Sequence, residues 1–214
     1  MKGLFITGTD TGVGKTYFTA CLTRSLRQHS IPAIPLKPIS AGDRKDSILL
    51  SDATGGAISP AEINPVHFSA PLAPYAASIL ESKPFPWGVL RERIAKLTQN
   101  YPGPFLIEGV GGWRVPIDST LGIREWAQEL ALPVVLVVRN TLGTLNHTLL
   151  TVDSIRQANL PIRGLILNDY FSRPDDPSAT TNPALLQELT SLPILSLPSG
   201  MSELPSLPTW LIPG

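Results

Sequence analysis

The stretch Gly8-Thr9-Asp10-Thr11-Gly12-Val13-Gly14-Lys15-Thr16 constrains this chain more than any other. It follows a β-branched and aromatic run, Leu4-Phe5-Ile6-Thr7, and opens an amphipathic run from Thr16 to about Gln28. Strand, glycine-containing loop, then helix with Lys-Thr in its first turn is the architecture of a phosphate cradle. Successive backbone N–H groups and the positive end of the helix face the anion. Lys15 adds a point charge toward β- and γ-phosphate oxygens, and the Thr16 hydroxyl can ligate Mg²⁺. The fit to G-x-x-x-x-G-K-[ST] is irregular at its start. Thr9 stands where the first glycine belongs, and Gly8 comes one residue early.

Composition removes several classes of partner. With 17 basic against 17 acidic residues the chain carries no net charge, so nothing electrostatic argues for nucleic acid or an anionic membrane. Cys21 is the single cysteine, which rules out an internal disulfide framework and favours a reducing compartment. The apolar N-terminal run is too short for a signal peptide, and the longest aliphatic runs, such as residues 132–138, are strand-length. A soluble, cytoplasmic protein is the expectation. Neither a repeat nor a linker divides the 214 residues, so one domain over 1–214 is expected.

Apolar strand-like runs at 4–7, 33–37, 105–108, 134–138, 164–168 and 194–197 alternate with helical patterns at 16–28, 71–81, 87–99, 122–131, from 144, and at 183–190. Between 39 and 59 the chain reads as polar loop with a brief helix around 47–53, and 172–183 reads as the least ordered segment. The alternation predicts an α/β fold: a P-loop NTPase-type parallel sheet with helices on both faces.

Ligands in such sheets gather beyond the carboxyl ends of the strands. At those ends stand the loop 8–16, Lys37, Glu108 with Gly109, Gly111 and Gly112 behind it, the run Arg139-Asn140-Thr141-Leu142-Gly143, and Asn168-Asp169. Lys15 and Lys37 would surround a migrating phosphoryl group. Thr16, Glu108 and a second carboxylate, read as Asp52, would hold Mg²⁺. Gly143-Thr144-Leu145-Asn146 opens a helix whose free N–H groups suit a second anion such as a carboxylate. Asn168 offers donor and acceptor to a purine edge. His147 reads as structural or surface. Spacing alone reaches an ATP-using enzyme acting on something anionic.

These motifs together resemble dethiobiotin synthetase, over nearly the whole chain. The resemblance rests on the irregular phosphate loop, Lys37-Pro38, Ser51-Asp52, Asn64-Pro65 through Phe68, Glu108-Gly109-Val110-Gly111-Gly112-Trp113, Leu142-Gly143-Thr144-Leu145-Asn146-His147 and Asn168-Asp169. It implies a homodimer that joins CO₂ to 7,8-diaminononanoate using MgATP, by way of an N-carbamate and a carbamic-phosphoric anhydride. It implies catalytic roles for Lys37, Lys15 and Thr11. Phosphates would be bound by Gly12, Val13, Gly14, Lys15, Thr16 and Tyr17, and by Glu108, Gly109, Val110 and Gly111. It implies Mg²⁺ on Thr16, Asp52 and Glu108, and adenine near Asn168, Asp169 and Pro198. The substrate carboxylate would lie on the backbone of Leu142, Gly143, Thr144, Leu145 and Asn146, in a site completed across the dimer. Where the family carries Ser or Thr four residues past the lysine this chain has Ala41, preceded by Ser40, and both are read as substrate-facing. A partitioning-type ATPase switch would carry a signature lysine at position 10, which is Asp10 here. A GTPase would carry Asn-Lys-x-Asp, which is absent. A cobyrinate amidase would need a further glutaminase domain with a cysteine nucleophile, for which 214 residues leave no room.

Overall fold

A computed structural model describes residues 1–172 and 175–213. Its elements alternate in chain order: β1 (Gly3–Gly8), α1 (Lys15–Gln28), β2 (Ile34–Leu36), β3 (Ile39–Ala41), α2 (Lys45–Ala53), α3 (Pro60–Ile63), β4 (Val66–Phe68), α4 (Pro74–Leu80) and α5 (Trp87–Asn100). There follow β5 (Phe105–Glu108), α6 (Ile123–Leu130), β6 (Val134–Arg139), α7 (Thr144–Gln157), β7 (Ile162–Asn168), α8 (Ser178–Thr190) and β8 (Ile194–Leu197). Among the described residues, six strands form the main sheet in the order β2-β5-β1-β6-β7-β8. Every pairing in it is parallel.

Both faces of this sheet are covered, which explains the unbroken apolar runs. Leu4 and Ile6 of β1, with Val135 and Val137 of β6, pack against Phe18, Cys21, Leu22 and Leu26 of α1. Phe5 between them, and Val134, Leu136 and Val138, face the opposite core with Trp126 of α6 and Val152 and Ile155 of α7. Alternate residues enter different cores, so almost every residue of a central strand is apolar. Phe5 also meets Trp126 edge to face, with ring centroids 5.5 Å apart.

From β1 the chain crosses by α1 to β2 on one side, and from β5 it crosses to β6 on the other. The crevice where these directions diverge lies beyond the carboxyl end of β1, where the phosphate loop begins.

Three local expectations change. The stretch read as polar loop after residue 39 contains β3, which pairs in parallel with β4 in register Ser40↔His67. Two three-residue strands are too short to show a period in sequence. Helix α2 starts at Lys45, two residues earlier than expected. Helix α8 starts at Ser178 rather than near 183 and runs through Pro183. Proline has no N–H for the carbonyl one turn back, that of Ala179, and this carbonyl accepts from Asn140 Nδ2 at 3.0 Å instead. Arg173 and Pro174, within the polar stretch 172–183, and Gly214 at the end of the expected domain, lie outside the described residues. Among the described residues no helix is long and apolar enough to cross a membrane.

Candidate active site

Three strand ends converge on one cleft of about 440 Å³. β1 delivers the phosphate loop, with Thr11, Gly12, Gly14, Lys15, Thr16 and Tyr17 on its wall. β2 delivers Lys37, and β5 delivers Glu108 followed by Val110 and Gly111. Register places the last two side by side. Leu36 pairs with Ile107, so the next residue on each strand, Lys37 and Glu108, meet at the sheet's edge.

Glu108 is fully buried and Lys37 nearly so, and Lys37 Nζ lies 2.5 Å from Glu108 Oε1 and 3.1 Å from Asp46 Oδ2. Burial alone would push the Lys37 ammonium down, but Glu108 and Asp46 outweigh it and hold the group above its ordinary value. Lys37 is therefore an ammonium at any working pH and cannot serve as a general base. Thr16 Oγ1 donates to the same Glu108 Oε1 at 2.8 Å. The other oxygen, Glu108 Oε2, is buried with no hydrogen-bond partner. A buried carboxylate oxygen without a partner, beside a threonine hydroxyl and a second carboxylate, is a donor set that fits Mg²⁺.

That second carboxylate is Asp46, and Asp52 is a correction. Asp52 is exposed in the last turn of α2 and does not line the cleft, whereas Asp46 in the first turn does. Six residues turn a helix by about 240°, so the two side chains leave on different faces. A helix start placed at Ser47 leaves Asp46 in a loop, which hid it.

Lys15 Nζ folds back onto the Asp10 carbonyl at 2.9 Å. Burial, and then the Lys37 ammonium, lower its pKa to about 8. Between this value and the ordinary 10.5 the unfolded chain holds a proton that the native site has released. The ligand-free protein therefore gains stability as pH rises through that window. A bound phosphate reverses the preference by favouring the ammonium. Metal-free ADP binding at about pH 9 is expected to take up close to one proton per chain, and its affinity to fall about tenfold per pH unit above 8. Calorimetry in two buffers of different ionisation enthalpy measures this. Uptake that persists in Lys15→Met assigns the proton to another group.

Glycine is required at Gly14, where φ is 99° and an added Cβ would lie 2.0 Å from Asn168 Nδ2. Asn168 Nδ2 donates to the Val13 carbonyl at 2.9 Å, and its Oδ1 accepts from Tyr170 N. Arg139 Nη2 donates to the Thr11 carbonyl at 3.1 Å. The β6 and β7 ends thus brace the phosphate loop from behind rather than line the same cleft. Behind Gly14 lies a second opening of about 420 Å³, walled by Tyr17, Asn168, Tyr170, Ser199 and Gly200. The Tyr17 hydroxyl donates to the Pro198 carbonyl at 3.1 Å and accepts from Met201 N, which ties that segment to α1. Tyr170, Ser199 and Arg139 carried no sequence signal beyond following apolar strands.

Other expected residues lie elsewhere. Asp169 accepts from Asn140 Nδ2 at 2.8 Å, an interaction that ties the loop after β6 to that after β7. Gly109 packs between Phe5 and Ile123, and its N–H donates to the Ile6 carbonyl. Leu142 is 85% exposed, and Gly143, Leu145 and Asn146 are likewise not on the cleft wall. Thr144 is buried and its hydroxyl donates to the Arg139 carbonyl. Ser40 and Ala41 do reach the cleft rim. Ser40 Oγ donates to Asn64 Oδ1 at 2.7 Å and lies 3.0 Å from His67 Nδ1, while Ala41 offers only a methyl.

The sheet order, the loop on β1 and the lysine–carboxylate cluster beside it define a P-loop nucleotide-binding protein. Solved structures agree in fold. The septum site-determining protein MinD of Pyrococcus horikoshii, complexed with Mg-ADP, superposes with a TM-score of 0.57 at 19% identity, over 92% of this chain and 81% of that one. A family model described as an AAA domain matches residues 2–202. ATP-dependent dethiobiotin synthetases are much closer in sequence. That of Anaeromyxobacter dehalogenans is 40% identical over 92% of this chain and 89% of its own. Those of Aquifex aeolicus and Akkermansia muciniphila are 39% and 36% identical, each over 91% of this chain and over 88% and 91% of their own. The chain belongs to the ATP-dependent dethiobiotin synthetase family.

Proposed function

We propose that this chain forms dethiobiotin from 7,8-diaminononanoate and CO₂ with hydrolysis of ATP to ADP and phosphate, residues 1–214 acting as one cytoplasmic unit. One substrate amine captures CO₂ as a carbamate, whose oxygen takes the γ-phosphoryl group. The second amine then attacks the carbamoyl carbon, the ureido ring closes, and phosphate leaves.

The observation that carries this reading is Lys37, a buried ammonium held between Asp46 and Glu108 on the same cleft as Lys15. A phosphate loop with its own lysine suffices to bind a nucleotide. A second fixed cation in the same cleft suits a reaction in which an anionic acceptor must approach an anionic phosphate. Lys37 and Lys15 would flank the carbamate and phosphoryl oxygens, with Thr11 at the same rim. Thr16, Asp46 and Glu108 would hold Mg²⁺, which when bound neutralises charge on the phosphate oxygens. The phosphates would lie on the N–H groups of residues 12–17, and adenine in the opening between Tyr17 and Tyr170.

Leu142, Gly143 and Asn146 stand exposed at a helix N-terminus, and none of residues 142–146 lines the cleft of its own chain. That placement supports a homodimer in which this segment grips the substrate carboxylate in the partner's site.

The test is ADP release from MgATP, measured with diamine and bicarbonate together and with each omitted. Turnover is expected only with both. Comparable release without the diamine, or release stimulated by DNA, overturns the reading and favours a regulatory ATPase.

A further inference from the structure

A third cleft, of about 370 Å³, lies beside the catalytic one and has no role in the reaction described above. One stripe of α5 supplies Val89, Arg93, Lys96, Leu97 and Asn100, which recur at helical spacing on one side of that helix. Arg44, the residue just before α2, stands on the lining with Glu62 of α3, and Asn64 and Pro65 complete it.

Its electrostatics are unbalanced. Three cations, Arg44, Arg93 and Lys96, line the cleft with one carboxylate, Glu62. Among the described residues none of the three makes an ion pair within 4 Å or a side-chain hydrogen bond. Glu62 feels the charge of Lys96 but makes no ion pair with any of the three. Its Oε2 accepts from Ser59 N at 3.1 Å and from Ser59 Oγ at 2.7 Å, and its Oε1 accepts from the Tyr101 hydroxyl at 3.3 Å. Like charges gathered at one concavity favour an anion with more than one charge. Pro65 has no N–H, and the α3 N-terminus is already capped by Ser59, so the backbone donors that usually cradle phosphate are missing. The donors are instead two planar guanidinium forks and an ammonium, set against the aliphatic faces of Val89, Leu97 and Pro65. That combination matches carboxylates carried on a short carbon chain.

The two clefts share a wall. Asn64 Nδ2 donates to the Lys37 carbonyl at 2.8 Å, and its Oδ1 accepts from Ser40, which lines the catalytic cleft. Two residues after Arg44, Asp46 grips Lys37 from the first turn of α2. An anion that draws Arg44 toward α5 therefore acts on the turn that positions Asp46. We infer that this cleft is an effector site for a short-chain di- or tricarboxylate, coupled through Arg44 and Asn64 to the Asp46–Lys37 pair.

The test uses tricarballylate on the full chain, pre-saturated with MgADP so that the phosphate loop is filled, at constant ionic strength. Calorimetry is expected to show one saturable site per chain. The paired substitution Arg93→Ala and Lys96→Ala, both exposed on α5, is expected to weaken tricarballylate at least tenfold while MgADP affinity stays within about twofold. In steady-state assays tricarballylate is expected to shift the Mg²⁺ concentration for half-maximal rate at least threefold in the wild type and not in the double variant. Absence of saturable heat overturns the site, and equal binding by the double variant overturns its location. Equal binding of inorganic phosphate overturns the carboxylate assignment, and an unmoved Mg²⁺ response overturns the coupling. The calorimetric arm does not depend on dethiobiotin chemistry, so its failure and that of the proposed reaction are separable.

Discussion

Lys37→Met is expected to lower kcat by about three orders of magnitude while MgADP affinity changes by less than about threefold. Methionine keeps an aliphatic stem of similar length, so the cleft wall survives and only the ammonium is lost. Nucleotide affinity should survive because the phosphate loop and the opening behind Gly14 stay intact, and loss of the Lys37 charge only favours the Lys15 ammonium. Rate should not, because a fixed cation that meets charge only as the phosphoryl group moves stabilises the transition state more than the ground state. A second effect separates this reading from a general structural role. Without Lys37, Glu108 remains fully buried with only Thr16 as a partner, at a cost of about 3–5 kcal/mol. A cation bound at Glu108 would offset that cost, so the Tm deficit should be largest in a chelator and shrink in excess Mg²⁺. Near-normal turnover, or a deficit that ignores Mg²⁺, sinks the role given to Lys37.

The same residue shows what sequence conveys and what it does not. That Lys37 ends a strand is legible, because Ala33 to Leu36 is apolar and β2 is buried throughout. That its neighbour is Glu108 is not, because β2 and β5 lie some seventy residues apart and only strand order joins them. The central strands were easy for a related reason. Buried on both faces, β1, β5 and β6 are apolar at almost every position, and such runs stand out from any loop. The three-residue strands β3 and β4 give no comparable run, so Ser40 and Ala41 are read as substrate-facing from the resemblance while their place on a strand comes only with the fold.

Strand ends also divide into two kinds that sequence cannot distinguish. Glu108 and Lys37 turn into the cleft, whereas Arg139 and Asn168 spend hydrogen bonds on the carbonyls of Thr11 and Val13. Each is a polar residue closing an apolar strand, and only position relative to the loop decides its task. The irregular first half of that loop gains meaning from these braces. Thr11 is held by Arg139 from one side, and Thr9 and Asp10 are approached by Gly112 from the other, where an added Cβ would lie 3.1 Å from the Thr9 carbonyl. Lys15 in turn reaches back to Asp10. A loop fastened at its carbonyls keeps its N–H groups turned toward an anion.

Asp46→Asn and Asp52→Asn should separate sharply, although either aspartate could be chosen from sequence. Asp46→Asn is expected to raise the Mg²⁺ concentration for half-maximal rate at least tenfold and to lower kcat/KM for MgATP about a hundredfold. Two losses combine: a charged oxygen beside Glu108 and Thr16, and the partner that holds Lys37 at 3.1 Å. Asp52→Asn should move both quantities less than about twofold. Asp52 is exposed in the last turn of α2, where a negative charge opposes the helix dipole, so its neutralisation should raise stability by a few tenths of a kcal/mol. Steady-state titrations of Mg²⁺ on both variants, with thermal melts alongside, give the comparison directly. The reverse outcome, with Asp52→Asn inactive and Asp46→Asn near normal, would mean that α2 presents its other face to the nucleotide. The cleft between Lys37 and α2 would then have to be redrawn about a carboxylate some 240° further round that helix.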